Sequence, residues 1–131
     1  AAVVADAAVG SLIADGSVDT VLVGADSVLA DGSVVNKVGT RHAAMAASDA
    51  GVACLVVCSR DKITFGTEID LEHGDPEAVH AGEADVSVHN PTFERVPASL
   101  FDGVITESGA CSPTEIQSIA AEHASLAEWD E

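Results

Sequence analysis

Basic residues are what this 131-residue chain has least of: 5 Lys and Arg stand against 22 Asp and Glu, for a formal charge of −17. A nucleic-acid footprint needs clustered Lys and Arg, and an anionic bilayer repels a field of this sign, so neither partner is expected. Aromatic residues are nearly as scarce, at 3% with no Tyr at all. No apolar run reaches the roughly 18–20 residues of a spanning helix, and no basic-then-apolar leader opens the chain. A soluble, cytoplasmic protein is expected. Cysteine is limited to Cys54, Cys58 and Cys111. Cys54 and Cys58 flank a short apolar run that reads as a strand, which would hold them about 13 Å apart, too far for a disulfide. Their spacing is not that of a zinc site either, so they are expected to be small core residues.

What is present is 47% hydrophobic residues in regular Val/Ala/Leu runs, enough for the core of one domain and unlike a disordered acidic tract. The acid excess suits a salt-loaded cytoplasm. At molar salt the Debye length falls to about 3 Å, and self-repulsion is largely screened.

Strand and helix patterns alternate along the chain. Val3–Asp6 reads as a strand entering a helix over 7–14, and Thr20–Gly24 as a buried strand, apolar nearly throughout as parallel sheets require. Ser27–Ala30 and Ser33–Val35 flank Asp31-Gly32, a strong hairpin signal. An Ala-rich helix over 40–50 closes at Gly51, and 53–57 is the next strand. The stretch 59–85 is loop-rich and acidic, with Pro76 opening a short helix. Short strands follow at 86–88 and 104–105. Ser112-Pro113 caps a last helix running towards Ala127. Such alternation predicts an α/β fold: a doubly wound, mainly parallel sheet with helices on both faces. The chain opens on Ala1, inside an expected strand, so a piece of a longer protein is expected.

Three clusters could carry chemistry. Asp26 follows the run Val21–Gly24 at the carboxyl end of a strand, where open α/β sheets bind ligands; desolvation there would suit it to general-acid work. A simple turn is the plainer alternative. Asn36-Lys37-Val38-Gly39-Thr40 precedes a helix that Thr40 can cap. Gly39 permits close backbone approach, the helix N-terminus and Lys37 favour an anion, and Asn36 can donate to a sugar oxygen. An ordinary capped helix beside an exposed lysine would look the same. Arg60-Asp61-Lys62 follows the next strand, and four of the five bases fall between positions 37 and 62; one anion site or balancing surface charge would explain that. Asn90–Phe93 and Thr106–Gly109 read as structured turns. The five histidines show no metal spacing and are expected to be solvated, and the acids of 68–85 lack a calcium-loop pattern. No Walker loop or GxGxxG occurs. Neither a cofactor nor a metal is expected.

In order, Gly24-Ala25-Asp26, Leu29-Ala30-Asp31-Gly32, Asn36–Thr40, Asp75-Pro76-Glu77, Asn90–Phe93 and Ile105–Gly109 resemble the motifs of one superfamily. It comprises ribose-1,5-bisphosphate isomerase, methylthioribose-1-phosphate isomerase and the alpha, beta and delta subunits of translation initiation factor 2B. The resemblance covers 3–116, nearly the whole chain. It implies that residues 1–131 form the single Rossmann-like C-terminal domain of a longer chain, without its N-terminal helical domain, and that this domain forms a homodimer or higher homo-oligomer. It implies that Asp26 is half of a Cys/Asp pair that isomerises an aldose 1-phosphate to a ketose, the Cys lying upstream of Ala1. It further implies that Asn36, Lys37 and Lys62 hold the phosphorylated sugar, beside Gly39 and Thr40. Retention of Asp26 and Asn36-Lys37, with Ser27-Val28 after the Asp and a lysine at 62, favours the ribose-1,5-bisphosphate branch. The alternative is a non-catalytic initiation-factor-2B-like subunit that binds a phosphosugar or nucleotide. Two departures stand out, Gly74 for a usual Arg and Glu94-Arg95-Val96 for Asp-Val-Thr, and both bear on loop packing or the dimer contact.

Overall fold

The computed structural model describes residues 1–128. Helix α1 (Val9–Ala14), preceded by a 3₁₀ turn at Asp6–Ala8, leads to strand β1 (Thr20–Val23). Strands β2 (Ser27–Val28) and β3 (Val34–Lys37) form the expected hairpin around Asp31-Gly32, with Ser27 opposite Val35. Gly32 takes a φ of 81°, as such a turn requires. Helix α2 (Thr40–Ala50) ends on left-handed Gly51, and β4 (Ala53–Val57) follows. After a long irregular segment come β5 (Phe93–Val96), β6 (Gly103–Thr106), β7 (Gly109–Cys111) and α3 (Pro113–Ala127). A capping box between Ser112 and Glu115 starts α3.

Two sheets result. The larger has the order β1-β4-β6-β7, parallel except for β7; the smaller, β2-β3-β5, is antiparallel. The α/β fold with its parallel sheet is as the sequence predicts. Among the described residues, however, the buried layer covers only one face of the larger sheet. Val56 and Val104 pack with Val28 and Val34 of the small sheet and with Ile116 and Ala120 of α3. Cys54 packs with Ala44 and Ala47 of α2 and with Val96 of β5. The opposite face, bearing Leu22, Leu55 and Val57, has no such cover, and Leu22 is 64% exposed.

Three local readings change. Val3 and Val4 form no strand and are exposed; β1 pairs only with β4, so no ladder holds Val3 and Val4 extended. The segment 86–88 is likewise irregular. Conversely, Phe93 belongs to β5 and Gly109 starts β7, where turns are expected. Alternation is weak over both stretches, and pairing with β3 and β6 decides them. No helix among the described residues is long and apolar enough to cross a membrane.

Candidate functional site

An open cavity of about 650 Å³ lies at the carboxyl end of β1, where the chain leaves Val23 and Gly24. Its polar lining is Asn36, Lys37, Thr40, His42 and Asp6. Small residues (Gly24, Gly39, Ala7, Gly10 and Ala43) line it too and leave room for a ligand. Asn36, Lys37, Gly39 and Thr40 thus come together, as the motif suggests. Asp6 and His42 enter without having been singled out. The available signals were an acid at the end of Val3–Asp6 and a polar residue in the first turn of α2.

The entrance to α2 is built differently from the expected cap. Gly39, at φ 101°, is the N-cap and Thr40 is already the first helical residue. The Thr40 hydroxyl donates to the Lys37 carbonyl at 2.7 Å and accepts from Asn36 Nδ2 at 3.0 Å. One Asn36 amide hydrogen is therefore committed to fixing the loop. The Arg41 amide donates to Glu94 Oε1 at 2.9 Å, so an acid from β5 already occupies one of the helix's N-terminal donors. Among the described residues the amides of Thr40 and His42 have no protein acceptor. With Lys37, they are what the cavity offers an anion.

Asp26 and Lys62 stand outside this cavity. The burial expected for Asp26 is absent: β1 stops at Val23, and Asp26 is exposed in the turn into β2. Its amide donates to the Val35 carbonyl, and its carboxylate accepts from the Ser27 hydroxyl at 3.4 Å. It lines a smaller cavity of about 170 Å³ with Phe93, Asp70 and Glu72 among others. Lys62 ends an exposed 3₁₀ turn, Arg60–Lys62, after β4. The sequence cluster of bases is not one anion site. Arg60 pairs with Glu122 of α3 at 2.5 Å, and Arg41 points to the Arg95 carbonyl at 3.5 Å. His123 is not solvated either: its Nδ1 lies 2.6 Å from the Ile63 carbonyl.

Thiol chemistry finds no activated group at Cys54 or Cys58. Burial pushes both thiols up, aided at Cys54 by Asp102 and at Cys58 by Cys111, Glu107 and Asp61. All three cysteines are free.

The two departures from the motif pattern are absorbed locally. A Cβ on Gly74 would lie 2.7 Å from Asn90 Nδ2 and from Thr92 Cγ2, so a larger residue here would have to displace those side chains. Glu94 holds the start of α2. Arg95 joins the Asp31 carboxylate (2.6 Å), the Ser33 hydroxyl (2.9 Å) and the Thr67 carbonyl (2.6 Å).

The model of the initiation factor 2 subunit family matches residues 1–113. The chain belongs to the initiation factor 2 subunit family. Among relatives within and around this family, the methylthioribose-1-phosphate isomerase of Dechloromonas aromatica is 37% identical over 127 residues, covering 82% of this chain and 35% of that protein. The crystal structure of 5-methylthioribose 1-phosphate isomerase from Pyrococcus horikoshii superposes with a TM-score of 0.80 at 30% identity, covering 94% of this chain and 37% of the other. The delta subunit of initiation factor eIF-2B from A. fulgidus gives 0.78 at 25% identity, covering 90% and 38%. The chain spans about a third of the length of the curated relatives it matches.

Proposed function

We propose that the chain is the C-terminal, Rossmann-like part of a sugar-phosphate isomerase in this family, of the ribose-1,5-bisphosphate type. The observation that carries this reading is the convergence of Asn36, Lys37, Gly39 and Thr40 on one cavity at the carboxyl end of β1. The isomerase relatives support the substrate class. In the intact protein Asp26 moves protons during ring opening and aldose-to-ketose conversion, a change that relocates hydrogen without net oxidation. The partner Cys lies outside these residues, consistent with burial raising the Cys54 and Cys58 thiols. Lys37 and the free amides of α2 receive one phosphate, and Lys62, outside the large cavity, serves the other phosphate region. An exposed Asp26 suits a carboxylate that is enclosed only when the remainder of the protein and substrate meet it. Within a longer protein, Asp26→Asn is expected to abolish turnover of ribose-1,5-bisphosphate while leaving binding nearly intact. Unchanged turnover would end the catalytic assignment.

The likeness to the eIF-2B delta subunit favours a second reading, a non-catalytic phosphosugar- or nucleotide-binding subunit. A Cys in the family's motif upstream of this chain favours the enzyme, and its absence favours the binding module. The homodimer, the cytoplasmic setting and the salt-adapted, archaeal source belong to the same proposal. The acid excess carries the salt adaptation, and the curated isomerase relatives cited are bacterial.

A further inference from the structure

Lys37 is the one Lys or Arg among the described residues lining the large cavity, and its ammonium makes no ion pair or hydrogen bond with them. A lysine on four flexible carbons has high rotamer entropy, and orienting it on a ligand costs that freedom. Here Nζ sits 5.4 Å from the centre of the Phe93 ring, within the range of a cation–π contact. The backbone enforces the meeting. Lys37 and Phe93 are register partners in the antiparallel β3–β5 pair, which puts their side chains on the same face. Phe93 also lines the small cavity at Asp26. Phe93 therefore has the lysine's ammonium near its ring and also borders the Asp26 cavity.

We infer that Phe93 is a positioning residue: its ring holds the Lys37 ammonium beside the large cavity and ties that cavity to the one containing Asp26. This deepens the phosphosugar reading and rests on it. The interaction survives in a chain of −17 because the π face offers negative potential without adding another carboxylate. Phe93→Leu keeps an apolar side chain and removes the π face; Phe93→Tyr keeps both.

The test uses the 131-residue chain with two readouts. The first is the proton shift of the Lys37 ε-methylene. It is expected to lie upfield through the Phe93 ring current, to move to its ordinary position in Phe93→Leu, and to remain upfield in Phe93→Tyr. The second is the affinity for ribose 1-phosphate. A weakening of about two- to fivefold is expected in Phe93→Leu, the range of an exposed cation–π contact. Recovery is expected in Phe93→Tyr, with no further loss when Phe93→Leu is added to Lys37→Met. An unshifted methylene in the wild-type chain overturns the inference and requires no variant to fold. Equal weakening in the Lys37→Met background also overturns it, because the ring would then act without the lysine. A wild-type chain that shows the shift but binds neither ribose 1-phosphate nor ribose 1,5-bisphosphate overturns the phosphosugar reading, while upholding Phe93 as the support of Lys37.

Discussion

The two faces of the larger sheet have nearly the same composition and opposite fates. On one, Val56 is 0% and Val104 4% exposed, under α2, α3 and the small sheet. On the other, Val57, the next residue of β4, is 46% exposed, and Leu22 of the neighbouring β1 is 64% exposed. Strands apolar on both sides are the signature of sheets covered on both sides, and the relatives are about three times as long as this chain. A hydrophobic pattern thus identifies a strand as central without saying which face its own neighbours cover.

The comparison breaks most visibly with a charge. Val56→Asp puts an unpaired carboxylate among Val28, Val104 and Ile116 and is expected to cost about 4 kcal/mol or more, removing cooperative unfolding. Val57→Asp is expected to stay within about 0.5 kcal/mol in denaturant melts. Equal losses would mean that both faces are covered in solution. Salt sharpens the contrast next. Screening a charge of −17 is expected to raise Tm by about 5 °C between low and molar salt, and a maximum Tm without salt would dismiss salt adaptation.

A smaller effect isolates the helix that seals the inner face. In the capping box of α3, Ser112 Oγ accepts from the Glu115 amide at 3.2 Å, so Ser112→Ala is expected to cost about 1 kcal/mol. A melt that moved no more than the Val57→Asp melt would show that this cap does not stabilise α3. The smallest effect is acid-dependent. Burial opposes ionisation of Asp31, but hydrogen bonds from Ser33 and the charge of Arg95 outweigh it and hold the carboxyl below its usual range. The folded pKa is depressed, so this support of the β2–β3 hairpin is complete above about pH 4 and fades as pH falls through the folded value. In Asp31→Asn the corresponding step should vanish from the acid-stability curve; its persistence would assign the step to other carboxylates.

Most of the local structure was legible in short-range chemistry. Asp31-Gly32 marked its hairpin, Gly51 ended α2, and Ser112-Pro113 opened α3, because each depends on backbone conformations or donors within a few residues. Strands β5 and β7 were not legible, since partners distant in sequence decide them. The candidate site divided along the same line. Asn36, Lys37, Gly39 and Thr40 are contiguous, and one loop carries them all to the cavity. The grouping of bases between 37 and 62 misled, because Arg41 and Arg60 turn to separate elements.

Composition, the alternation of strand and helix patterns and motif order by themselves determined the α/β class, the acidic surface and the loop that faces a ligand, all properties of residue type and near-neighbour spacing. Only the tertiary structure decided that Glu94 occupies an α2 amide, that Phe93 lies beneath Lys37, and that Asp26 is exposed outside the large cavity. It also decided which of two equally apolar sheet faces is buried. Those outcomes depend on register between strands far apart in the chain, which no local pattern encodes.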